Sequence, residues 1–465
     1  MKQSEKRLIR IIEWFVLLQP VLDFLTSLSI RFVDLPLTPG MVTRILFLAL
    51  AGIWLFFFYD GPKKILLRGF FGATALYGVI GVALNALTYG FGTVMENGKM
   101  FFKMFYFVFV LIFFYALYKK YGFEVENKIL TVVFLEYTAS IFLSAVTGTG
   151  FVTYEYAKGY CGWFYAGNEV GAIVSALFVF ALLYSIQKKN IFLKIAVGFL
   201  GAFSACYIGT KVPYLACLGA VVILFLFYGV KTLVRRNGES GKSLLQISAV
   251  LCAVLVLFQW NSPVKQNGSA LAGYHYDLHV ADRLENEEET ETVETSEDEE
   301  EEEDKEDEEK EGSVGYKVFL VANWLLSNRL EMVMPAVDGY ANAPFPQLLF
   351  GVGYEFRLPD GEIYNDLIEM DLVSLVINHG ILGTFLYLAP ILYFAFYCLK
   401  RFFRSIKQFF EMEEELAYLY SVIITFGCAF LAGHVLVAPA VSIYLAIGII
   451  KLVATLEKRE KKADS

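Results

Sequence analysis

Arg329, Arg357, Glu369 and Asp371 fall within one stretch of a 465-residue chain that is 57% hydrophobic. Arg329 stands in Asn328-Arg329-Leu330-Glu331, and Arg357 follows the two-glycine turn Leu349-Phe350-Gly351-Val352-Gly353-Tyr354. The carboxylates form Glu369-Met370-Asp371. A guanidinium can bind two phosphate oxygens at once. A carboxylate shielded from water has a raised pKa and can take a proton from a hydroxyl nucleophile. Lys211, in Ile208-Gly209-Thr210-Lys211-Val212-Pro213, adds a cation in a tight turn between two apolar runs. These types suit phosphate binding by Lys211, Arg329 and Arg357 beside a general base at Glu369 or Asp371. Plainer uses exist. Arg329 can pair with Glu331, Lys211 can meet a lipid headgroup or a carboxylate, and one of the two carboxylates is expected to cap the following helix. Capping does not exclude catalysis.

The elements that must position these residues are apolar helices. Mean hydropathy is +0.53, and runs near the ~20 residues that cross a bilayer recur along the chain. They lie at roughly 11–30, 41–59, 67–88, 100–118, 129–147, 168–187, 191–209, 212–230, 244–260, 372–398, 416–433 and 437–456. The pattern predicts an all-α polytopic membrane protein of about ten to twelve transmembrane helices, with one large polar stretch, 261–371, before the tenth. Lys and Arg concentrate in cytoplasmic loops. Here every second gap is basic, at 5–10, 61–68, 117–120, 187–190, 231–242, 399–407 and 457–462, while the other short loops carry only Arg31, Lys99, Lys158 and Lys211. Both termini are therefore expected on the cytoplasmic side of the membrane and 261–371 outside it. The expected divisions are 1–260 for the first nine spans, 261–371 for the outer loop, 372–456 for the last three spans and 457–465 for a cytoplasmic tail. The first apolar run contains Gln19, Pro20 and Asp23 and lacks a small-residue cleavage site, so it reads as a retained span.

Ionisable residues inside spans are costly and point to function or to pairing. With this orientation Asp23, Arg44, Lys103, Lys211 and His434 all lie toward the outer leaflet, and Glu136 lies nearer the middle of the fifth span. Arg44 and Lys103 are expected to snorkel to the interface, with Asp23 pairing with Arg44 across a hairpin. Within the loop, 332–340 reads as an amphipathic helix on the membrane, part of an ordered portion at 313–371.

The net charge of −9 misleads, because 19 of the 48 acidic residues crowd between Glu285 and Glu311 with only two lysines. Such a run has no apolar face to bury and is expected to be a disordered tether. The remainder of the chain is net basic. Cys161, Cys206, Cys217, Cys252, Cys398 and Cys428 show neither a disulfide framework nor metal-ligand spacing, so no metal is expected. There is no Gly-rich phosphate loop and no dinucleotide fingerprint, no cofactor is expected, and no nucleic-acid partner either. Energy must come from the substrate or from a gradient.

Four pieces of the chain, in order, resemble the O-antigen ligase and O-antigen polymerase superfamily of bacterial envelope enzymes. They are Gly162-Trp163-Phe164-Tyr165-Ala166-Gly167-Asn168-Glu169-Val170-Gly171, Gly209-Thr210-Lys211, Arg329 leading to Phe350-Gly351-Val352-Gly353-Tyr354, and Glu369-Met370-Asp371 ahead of Asn378-His379-Gly380-Ile381-Leu382-Gly383. The resemblance implies a C-type glycosyltransferase architecture with its active site at the outer face. It implies transfer of a glycan from an undecaprenyl-pyrophosphate carrier to an acceptor hydroxyl, with Lys211 and Arg329 holding the pyrophosphate. Lys211 replaces the family's Arg. Glu369 stands where the family often has a His, which leaves the choice of base between Glu369 and Asp371 open. His379 sits ten residues further along the helix, ~15 Å deeper, and does not inherit the role. Polymerising a surface polysaccharide is the expected outcome. Ligation to another acceptor is the nearest alternative, with a flippase or a chain-length regulator as possible partners. A transporter of lipid-linked oligosaccharide is the main rival, although the chain shows no internal repeat. A non-catalytic envelope scaffold is a third reading.

Overall fold

The computed structural model describes residues 3–33, 35–153, 158–236, 238–267, 329–354, 356–357, 363–364, 368, 370–431, 433 and 435–463, with backbone alone at 329–332, 357, 363–364, 431 and 463. The acidic run, Asn328, Glu369 and His434 lie outside the described residues.

Ten helices precede the loop: α1 (Gln3–Leu17), α2 (Gln19–Phe32), α3 (Pro39–Ile53), α4 (Lys64–Tyr89), α5 (Val94–Tyr121), α6 (Asn127–Thr147), α7 (Gly167–Gln187), α8 (Ile191–Tyr207), α9 (Lys211–Arg235) and α10 (Gly238–Gln259). The described part of the loop holds α11 (Arg329–Ala341) and α12 (Phe345–Phe350), and the chain finishes with α13 (Asp371–Ser405), α14 (Glu413–Leu431) and α15 (Pro439–Ala463). Among the described residues there are also two small antiparallel pairs of strands, β1 (Phe151–Val152) with β2 (Tyr160–Gly162) and β3 (Phe356–Arg357) with β4 (Ile363–Tyr364).

Among the described residues nine helical stretches are long and apolar enough to cross a bilayer, so this is an integral membrane protein. The other three expected spans are also helical, but none is a full-length apolar rod. The first is divided at Leu18 into α1 and α2, with Pro20 in the opening turn of α2. The seventh, α8, has 17 residues. The eleventh, α14, opens with three glutamates, Glu413 to Glu415.

Burial shows which helices sit at the centre. Most of the apolar window is buried in α15 (89%), α7 (83%) and α5 (78%), against 11% in α10. The unbroken run Met104–Leu117 of α5 is buried on every side, as expected of a helix that is apolar all round. α10 instead presents Leu245, Leu255 and Val256 outward, where lipid would meet them.

The described connections at 35–38, 90–93, 148–153, 158–166, 208–210 and 435–438 share one end of the bundle with the described part of the loop. At the opposite end, lysines and arginines pair with glutamates: Lys119 with Glu457 (2.6 Å), Arg401 with Glu460 (3.0 Å), Arg459 with Glu415 (2.5 Å), and Lys231 with Glu413.

α13 is continuous in path but broken in conformation. Gly380 has φ 61° and ψ −172°, a region that is essentially glycine-only. A Cβ there would press on the backbone of Leu349 and Gly351. Gly380→Ala should therefore destabilise the protein by about 1–3 kcal/mol from backbone strain alone. Thermal unfolding in detergent checks this, and an unchanged Tm would contradict the strained break.

Candidate functional site

The embedded charges converge. Asp23 of α2, Arg44 of α3, Lys99 and Lys103 of α5 and Glu169 of α7 line one cavity of about 270 Å³ at the loop end, together with Glu96 and the aromatic rings of Tyr137, Phe164 and Tyr165. Val437 to Ala440, the turn into α15, close its far wall.

Arg44 does not snorkel. It is 5% exposed, with Nη2 2.5 Å from Asp23 Oδ1, while Nε and Nη2 donate to Gln19 Oε1 at 3.0 and 2.7 Å. Tyr137 donates its hydroxyl to the other Asp23 oxygen. Gln19 and Asp23 are one turn apart on α2, so together they satisfy the guanidinium fork and remove its need for water. The expected Asp23–Arg44 pair is present, in a buried form. Lys99 and Lys103, also one turn apart, face the cavity from α5. Lys99 pairs with Glu96 at 3.0 Å, whereas Lys103 makes no ion pair among the described residues.

The aromatic wall is set by a feature the sequence did not advertise. Cys161 in β2 is fully buried, and its Sγ–H lies within 3.3–3.4 Å of the carbonyls of Phe151, Val152 and Phe164. Burial pushes this thiol up to about 11. Arg31 donates to the Tyr165 carbonyl at 3.0 Å and lies 4.0 Å above the Phe151 ring. The loop is thus held from both sides.

Lys211 opens α9 and is exposed. Its hairpin is rigid because Gly209 has φ 87° and Asn267 spans it, donating to the Gly209 carbonyl at 2.9 Å and accepting from Lys158 N at 3.0 Å. Thr210 and Pro213 lie against Gly171, in the same opening turn of α7 that brings Glu169 to the cavity. Among the described residues Lys211 makes no ion pair.

The loop returns through a small apolar core of its own. Val333 and Ala336 of α11, Val352, Phe356, Ile368, Met370 and Ile377 of α13 are buried together. Arg329 opens α11 one turn before Val333, Arg357 follows Phe356, and Glu369 lies in sequence between Ile368 and Met370. One core therefore adjoins the backbone of two of the five expected site residues, Arg329 and Arg357.

Asp371 stands in the first turn of α13. Its carboxylate is fully buried, and Oδ2 accepts from Val435 N at 2.9 Å and Leu436 N at 2.7 Å. Those amides belong to the turn before α15, where no helix supplies acceptors, so the charge is drawn across to them rather than down its own helix. Asp371 thereby ties the loop's last residue to the cavity wall. His379 is buried one helical break away, edge-on to Phe105 with ring centroids 5.2 Å apart.

With this geometry in place, comparison with known families is decisive on one point. The chain belongs to the family of O-antigen ligase like membrane proteins, whose model matches residues 5–459. Membership gives it a membrane glycosyl-transfer role in polysaccharide assembly, acting on lipid-linked glycan and acceptor substrates. No curated protein and no solved structure matches the chain.

Because Arg44 and Asp23 are buried together, removing one partner should cost about 3–5 kcal/mol. Asp23→Asn or Arg44→Met should each lower the Tm markedly, and the double variant should lose less than the sum. Additive losses in a double-mutant cycle would show that the pair is uncoupled.

Proposed function

We propose that the protein transfers a glycan from an undecaprenyl-pyrophosphate carrier to an acceptor sugar hydroxyl at the loop end of the bundle, on the outer face of the plasma membrane, and that it polymerises a cell-surface polysaccharide. The observation that carries this reading is the convergence of embedded charge on one cavity at the same end as the loop core. A transporter would be expected to hold such charges near the midplane.

In the proposed step Glu369 accepts the proton of the acceptor hydroxyl. The oxygen attacks the anomeric carbon of the donor glycan, the bond from that carbon to the pyrophosphate oxygen breaks, and the electron pair leaves with the pyrophosphate. Lys211, Arg329 and Arg357 neutralise the charge that builds there. These cations fill the role that a metal ion would otherwise play, so the proposal includes no metal. Asp371 is assigned a positioning role, because two backbone amides already engage one of its oxygens. The cavity, with carboxylates, ammonium groups and aromatic rings in its walls, suits the glycan itself. A ligase would use the same residues with a different acceptor.

Lys211→Ala, Arg329→Ala and Glu369→Gln should each abolish polymer in cells while the protein still reaches the membrane. Loss of a general base lowers turnover about 10²- to 10⁴-fold. Normal polymer length in all three variants would sink the enzyme reading. Asp371→Ala should behave differently, lowering the Tm together with activity, whereas Glu369→Gln should leave the Tm unchanged.

A further inference from the structure

The loop does not merely lie on the bundle. The segment 345–354 enters it, and non-helical backbone at such depth survives only where protein supplies its hydrogen bonds. Tyr77 of α4 donates its hydroxyl to the His379 carbonyl at 2.6 Å, with the Phe350 carbonyl 3.2 Å away, and its ring stacks on Phe350 with centroids 5.6 Å apart. Val352 N donates to the Ile377 carbonyl at 3.0 Å. Tyr354 N donates to Oδ1 of Asn97, on α5, at 3.0 Å. Asn97 is 5% exposed, and this bond satisfies its buried amide oxygen.

The fit leaves no slack. Gly351 and Gly353 have φ 88° and 80°. A Cβ at Gly351 would overlap the Asn378 carbonyl, and one at Gly353 would overlap Asn97. The break at Gly380 opens α13 at the level where the turn enters, so the break and the turn are two halves of one joint. Beyond the joint the chain reaches Phe356 of the loop core and Arg357 within three residues of Tyr354.

We propose that Asn97, assisted by Tyr77, is a positioning residue for glycosyl transfer. It seats the re-entrant turn and, through Val352 and Phe356, fixes the small core beside Arg357. This rests on the glycosyl-transfer reading for its catalytic consequence, and the seat itself can be observed without substrate.

The test uses full-length protein in detergent, comparing Asn97→Leu, which removes the acceptor, with Asn97→Asp, which keeps one, and with Tyr77→Phe. Amide hydrogen exchange over 349–354 is read first. Exchange should be slow in the wild type, at least about tenfold faster in Asn97→Leu, and largely restored in Asn97→Asp. Turnover of a lipid-linked repeat unit is read next. A displacement of about 1 Å costs about 100-fold, so kcat per folded molecule should fall toward that extent in Asn97→Leu and recover in Asn97→Asp, with KM changing much less. Tyr77→Phe should shift both readouts in the same direction, and it stands in if Asn97→Leu does not fold. Unchanged exchange would overturn the seat. Faster exchange with kcat per folded molecule unchanged would overturn the positioning role, because a merely structural asparagine lowers only the Tm and the folded fraction. If exchange responds but the wild type never turns over the glycan, the glycosyl-transfer reading fails and the seat remains.

Discussion

A hydrocarbon core offers no hydrogen bonds, and that constraint governs where this chain keeps its polar groups and how it holds them. Among the described residues, the buried charges of Arg44 and Asp371 at the loop end are matched by protein. Arg44 is enclosed by Asp23 and Gln19, and Tyr137 completes Asp23. The carboxylate of Asp371 meets two amides of the turn before α15. Asp23 and Arg44 lie in the cavity wall, while Lys103 and Lys211 make no ion pair among the described residues.

The same constraint joins the loop to the membrane helices. A polar turn can enter the bundle only if helices are modified to receive it, and here two are. α13 is broken at Gly380, and α5 carries Asn97 at the level of Tyr354. Asp371 makes a second tie, from the end of the loop to the wall of the cavity. Loop core and cavity therefore belong to one framework, although Asp23 of the cavity and Val333 of the loop core are 310 positions apart in sequence.

Much of the fold was legible because lipid writes it in composition. Runs of apolar residues marked every span, the glycines of 351 and 353 marked the turn, and the amphipathic pattern of 332–340 marked α11. The site was legible only in part. The pairing of Asp23 with Arg44 followed from their shared depth, but the burial of Arg44 did not, because it depends on Gln19, a residue with no charge to draw notice. Asp371 was legible as a carboxylate at the mouth of a span, but its bonds to the amides of a turn more than 60 residues later were not, because local pattern cannot show them. Asn97 and Cys161 gave no signal, for single polar residues in or beside apolar runs acquire meaning only from the carbonyls and amides that tertiary packing brings to them.

The central claim is that the loop end of this membrane protein joins sugars using the energy of a pyrophosphate carrier. The direct measurement is incubation of the purified protein in detergent with an undecaprenyl-pyrophosphate-linked repeat unit, without nucleotide, followed by analysis of carrier-linked products. Longer carrier-linked chains with release of undecaprenyl pyrophosphate are the predicted result. Unchanged donor, with no lengthened chain and no released carrier, would contradict it.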